Sequence, residues 1–101
     1  MKVKKSCKLI FKKKFQVQLE SMTRYLADFS PQAARNMHKL VFSNVNMLKE
    51  FPQLGKKLDE EGSKEKRLLI VGKYLVLYIY MNDEIHLEMI LDEKQDYHNY
   101  M

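Results

Sequence analysis

Phe51-Pro52-Gln53-Leu54-Gly55, then Arg67-Leu68-Leu69-Ile70-Val71-Gly72-Lys73-Tyr74, then Leu75-Val76-Leu77-Tyr78-Ile79-Tyr80: this succession decides the fold. Proline has no backbone N–H to give a helix, so a helix arriving at Phe51 stops at Pro52, and Gly55 completes its exit. Residues 67–71 and 73–81 are rich in branched and aromatic side chains and read as strands. Gly72 between them marks a bulge or a tight turn. Asn82-Asp83-Glu84 supplies the next turn. After it Ile85, Leu87, Met89 and Leu91 alternate with His86, Glu88, Ile90 and Asp92, the pattern of a strand with one buried face. The chain then enters a short polar tail, Asp92-Glu93-Lys94-Gln95-Asp96-Tyr97. Residues 56–65, charged and holding Gly62, read as a mobile connection.

Upstream of this stretch the apolar period is helical. Phe15, Leu19, Met22, Leu26 and Phe29 recur every three or four residues, and so do Ala34, Met37, Val41, Val45, Leu48 and Phe51. Ser30-Pro31 separates the two stripes, with Ser30 suited to cap a helix and Pro31 to open it. So short a connection makes the two helices an antiparallel hairpin. Residues 5–11 alternate in the manner of a strand, with lysines on the outer side. The expected fold is therefore α+β: an N-terminal strand, an antiparallel helical hairpin, then a three-stranded antiparallel sheet segment, β-α-α-β-β-β. At 101 residues the chain fits one domain, 1–101, which buries roughly two-thirds of its unfolded surface.

Charge is unevenly distributed. Residues 1–14 hold seven lysines and no acid; residues 82–101 hold six acids and one lysine. A basic surface favours polyanions or an acidic protein partner, while lysines beside an edge strand also serve to block edge pairing. The single Cys7 excludes an internal disulfide and a cysteine-based zinc site. Leu9-Ile10-Phe11 is too short for a secretory h-region and no segment approaches a membrane span, so a cytoplasmic protein is expected. There is no phosphate-cradling Gly-rich loop and no His-x-x-x-His pair, so no cofactor is expected. His38, His86 and His98 are scattered, and the first two read as surface or boundary residues.

Taken together, the proline-terminated helical hairpin, Arg67-x-x-x-Val71-Gly72-x-Tyr74, the apolar strand after it and the Asp-x-x-Gln-Asp-Tyr tail resemble the RelE/ParE superfamily of bacterial toxins. That resemblance implies the toxin of a type II toxin–antitoxin system, which restrains growth and is neutralised by a cognate antitoxin in a hetero-oligomer. It implies an antitoxin segment, helical and acidic, lying across the sheet or the helical hairpin.

Two mechanisms stay open. ParE-like members poison DNA gyrase through a binding surface and need no catalytic group; the helical half and the strand after Gly72 resemble that branch, the favoured one. RelE-like members cut messenger RNA on the ribosome without metal. In that alternative Arg67 would stabilise the phosphate, Lys94 would assist it, and Tyr97 or His98 would move the proton. Against it stand Leu75, where RelE-like chains often carry arginine, Lys94 in place of a bidentate arginine, and the acids Asp92, Glu93 and Asp96. Arg67 has a structural alternative, an ion pair with tail carboxylates. A third reading is a weakly toxic or repurposed family member that still binds an antitoxin.

Overall fold

The computed structural model describes residues 6–94. Its elements are β1 (Lys8–Phe11), α1 (Lys13–Phe29), α2 (Pro31–Met47), β2 (Lys56–Glu61), β3 (Lys64–Val71), β4 (Tyr74–Met81) and β5 (Glu84–Asp92). The strands form one sheet in the order β1-β5-β4-β3-β2. An N-terminal strand, a helical hairpin and an antiparallel succession follow one another as the sequence predicts.

One residue separates the helices. Ser30 is extended, donates its N–H to Leu26 O at 2.8 Å to end α1, and accepts from Ala33 N on its side-chain oxygen at 3.2 Å to begin α2. Pro31 takes the first helical position, where its missing N–H costs nothing. Phe15 and Leu19 of α1 and Ala34, Met37, Val41 and Val45 of α2 are buried, as is Leu48 just beyond. The stripes fail only at their ends: Phe29 is 73% exposed and Phe51 52%. Phe29 is the last residue of α1, and Phe51 lies beyond α2, which ends at Met47 and not at the expected Pro52.

Residues 56–65 differ most from the sequence reading. The expected mobile connection is instead β2 and the first residues of β3, so four strands follow the helices rather than three. Lys-Lys-Leu-Asp-Glu-Glu carries no alternating apolar signal because β2 is an edge strand and is mostly exposed. Opposite charges face each other across the ladder at Asp59↔Lys66 and Glu61↔Lys64. The turn is the two residues Gly62-Ser63, with Gly62 at φ +61°, and its charged outer edge resists further strand pairing.

The other edge holds a second difference. β1 is shorter than residues 5–11 and pairs parallel to β5, Lys8↔Glu84 through Phe11↔Leu87, within a sheet otherwise antiparallel. A third lies inside β5. The register jumps from Tyr78↔Leu87 to Leu77↔Met89, leaving Glu88 as an extra residue. The bulge reverses the alternation. Ile85, Leu87 and then Ile90 join the helix-packed core with Leu69, Val71, Tyr74, Val76 and Tyr78. Leu91 and Met89 join the opposite face with Leu68, Leu75, Leu77 and Leu58. Both faces of β4 are apolar, which is why Tyr74 to Tyr78 are buried without alternation.

Candidate functional site

Arg67 lies on β3 and is 8% exposed. Its Nη1 donates to Gly55 O at 2.6 Å and to Gln53 O at 3.1 Å. Its Nε and Nη2 donate to Glu65 Oε1 at 2.9 and 2.5 Å. The guanidinium hydrogen bonds hold Glu65 below the ordinary carboxylate range. One strand over, the Tyr78 hydroxyl donates to Pro52 O at 2.8 Å and accepts from Gly55 N at 2.9 Å. Burial pushes that hydroxyl's pKa up, so it stays a neutral donor. A Cβ on Gly55 would meet Leu68 O and the Tyr78 ring at 2.8 Å, so only glycine lets the loop descend onto the sheet. Residues 52–55 are thus clamped between an arginine and a tyrosine, and the Arg67 carboxylate partner is Glu65.

Lys94 is exposed beyond the end of β5, where its N–H donates to Asp92 Oδ1 at 3.0 Å. Tyr97 and His98 lie outside the described residues. Arg67 pairs with Tyr78, while Asp92 pairs with Tyr74, four residues along the same strand. That places Arg67 and the end of β5 about 13 Å apart along the strand direction, before the separation across strands is added. Arg67 and Lys94 are not brought together on one short phosphate. Among the described residues no group of three or more His, Cys, Asp or Glu side chains could hold a metal ion.

An apolar concavity lies elsewhere. Phe11, Phe15, Leu19, Thr23, His38 and Phe42 line a groove of about 580 Å3 along the seam of α1 and α2, rimmed by Gln16, Glu20 and Arg24. A neighbouring hollow shares Thr23, His38 and Phe42 and adds Ala34, Arg35 and Lys39. Phe11 packs on Phe15 and Phe42 with ring centroids 5.8 and 5.9 Å apart. The Thr23 hydroxyl donates to Leu19 O at 2.7 Å and lies 2.8 Å from His38 Nε2. The floor is apolar; the rim carries two arginines and a lysine against one glutamate. His38 stands at the expected boundary. Phe42 and Thr23 fell outside the sequence stripes, although each lies four residues after a residue already facing the seam, His38 and Leu19.

The described residues thus form a five-stranded sheet under a helical hairpin, with an apolar seam between the helices. The family model of the ParE toxin of the type II toxin–antitoxin system parDE matches residues 9–97, and the chain belongs to that family. In fold it is similar to a solved chain described as the chromosomal ParDE TA system from P. aeruginosa, with a TM-score of 0.68 and 16% identity, covering 86% of this chain and 96% of that one. Comparison with curated proteins gives no match. No helix among the described residues is long and apolar enough to cross a membrane.

Proposed function

We propose that this chain, as one toxin unit in the cytoplasm, restrains growth by binding DNA gyrase through its surface, and that a cognate antitoxin holds it inactive. The observation that carries this reading is the Arg67 clamp. A guanidinium with four hydrogen bonds to Gly55, Gln53 and Glu65 serves the loop beneath it and is withdrawn from any RNA phosphate. The antitoxin occupies the seam of α1 and α2. Its apolar floor suits the face of an amphipathic helix, and Arg24, Arg35 and Lys39 at the rim suit acidic flanks. A segment that folds onto such a groove masks a large area.

The competing reading, a ribosome-dependent endoribonuclease using Arg67, Lys94, Tyr97 and His98, draws support from the exposure of Lys94. The deciding experiment is expression of the full chain with two readouts, gyrase supercoiling in extract and the integrity of messages on ribosomes. Loss of supercoiling with intact messages is expected. Messages cut within minutes while gyrase stays active would falsify the gyrase reading. So would a folded Tyr97→Phe variant that is harmless, because a binding surface rarely depends on one hydroxyl.

A further inference from the structure

We propose that the outer flank of α2 and the end of β3 beside it form a docking surface for a second copy of this chain. Strand β2 begins opposite Leu68, whereas β3 runs on to Val71, so the outer side of β3 beyond Leu68 has no strand paired to it among the described residues. Ile70 is 66% exposed, while Leu68, on the same face, is 6% exposed. Around that open edge the exposed apolar side chains close into a circuit. On α2, Leu40 and Met47 lie about two turns apart on one flank, and Phe51 follows just past the helix. The Leu54 N–H donates to Phe51 O at 3.0 Å, and the clamp on Gly55 brings this loop down beside Leu68, two residues from Ile70. Gly72, two residues past Ile70, leads back to the helix: a Cβ there would lie 3.1 Å from Leu40 Cδ2.

Area and charge both match a second copy. Of the eight large exposed apolar side chains among the described residues, Leu40, Met47, Phe51, Leu54 and Ile70 are five, each between 41% and 66% exposed. At about half exposure they present roughly 500 Å2 of apolar surface, as much as the largest patches that single molecules carry. A two-fold axis lays the patch on its own copy and removes roughly 1,000 Å2 of apolar surface from water in all. A standard interface of about 1,600 Å2 is about 57% apolar, which comes to about 900 Å2, so the patch supplies the apolar share of a stable dimer. No residue of the circuit is charged, as suits the centre of a homodimer interface. The exposed charges nearest in sequence, Lys39, Lys49, Glu50, Lys56 and Lys73, are outside the circuit, and exposed charges of this kind contribute little.

Such a dimer leaves the seam open. His38 and Phe42 line the seam, and each is two residues from Leu40, about 200° around the helix. Each copy therefore keeps its own groove for an antitoxin segment, and the complex gains its two-fold axis from the toxin itself. The inference does not depend on which target the toxin poisons, since its readout is association of the chain with itself.

The test is sedimentation equilibrium of the full chain over about a 100-fold range of concentration, with circular dichroism to show that each variant folds. At the upper end the mass should approach twice the 12.1 kDa of one chain. M47K/I70K should weaken association by roughly 30-fold or more and stay folded, since both side chains are already exposed. I70T keeps a branched strand residue and should weaken association in the same direction, which decides the matter if the double variant does not fold. Y25K/F29K, at the tip of the hairpin, should leave association unchanged. Raising salt from about 0.1 to 1 M should leave it equal or stronger, because the centre is apolar and the charges screened are mostly lysines. A chain that stays monomeric throughout overturns the proposal. So does association that survives M47K/I70K and I70T, that is lost in Y25K/F29K, or that weakens with salt. Loss of affinity for purified antitoxin in a folded M47K/I70K, measured by calorimetric titration, assigns the patch to the antitoxin and overturns the proposal as well.

Discussion

Tyr78→Phe isolates the clamp on residues 52–55. The ring is fully buried and remains, so no cavity forms; only the hydroxyl is lost. With it go the bond donated to Pro52 O and the acceptor for Gly55 N–H, in a residue that is itself buried. A buried donor left without a partner costs about 1–3 kcal/mol, and the lost Pro52 bond adds about 1 kcal/mol. A total of about 2–4 kcal/mol is a large fraction of the roughly 5–15 kcal/mol that holds a domain folded. At about 4–8 °C per kcal/mol for a chain of this size, the melting temperature should fall by roughly 8–32 °C. Urea denaturation of the full chain, followed by circular dichroism, should show the loss in midpoint with an unchanged slope. Arg67→Met removes the second arm of the same clamp. The double variant should therefore be less destabilised than the sum of the singles by at least about 0.5 kcal/mol, since both arms hold one loop. A Tyr78→Phe variant within about 0.5 kcal/mol of the parent, or strict additivity with Arg67→Met, would refute the clamp.

The pH dependence of stability should carry a signature of Glu65. Its folded pKa is depressed, so its contribution is fully present above the unfolded value near 4.5 and is lost as pH falls through the folded value; Glu65→Gln should flatten that acid limb in a melting series. Two glycines should fail for opposite reasons. Gly62→Ala meets nothing within 4 Å and should cost about 1 kcal/mol from φ +61° alone. Gly55→Ala meets backbone and ring at 2.8 Å and should cost about 1–3 kcal/mol or more, read by the same denaturation. In the seam, Phe42→Lys should weaken antitoxin binding by at least about 2 kcal/mol, roughly 30-fold, with the fold retained. Calorimetric titration with the purified antitoxin checks it, and unchanged affinity places the antitoxin on another face.

The helical hairpin was legible because helix formation and its termination are local events. The 3.6-residue stripes and Ser30-Pro31 act within a few residues of themselves, and α1 and the start of α2 follow them closely; α2 ends at Met47, short of Pro52. Strands β3 and β4 were legible for a similar reason, since branched and aromatic runs bounded by turn residues suffice. Strand β2 was not, because a charged edge strand acquires its structure from the neighbour that pairs with it. Its lysines and glutamates carry no pattern of their own. The parallel pairing of β1 with β5 joins residues more than seventy positions apart, and the Glu88 bulge is visible only once β4 fixes the register on both sides of it.

The candidate site divides in the same way. Residue type marked Arg67 as a cation of consequence, but a guanidinium binds whatever acceptors the fold brings to it. The fold brings Gly55 O, Gln53 O and Glu65, making it a structural clamp. The seam groove depends on Phe11 from a strand, Thr23 from one helix and Phe42 from another, which no local pattern links. The sequence alone determined the helices, the central strands, the excess of lysine near the start and the family likeness, because each is written in neighbouring residues. Tertiary structure decided the sheet order, the use of Arg67 and the shape of the seam, because those depend on which distant residues share a surface.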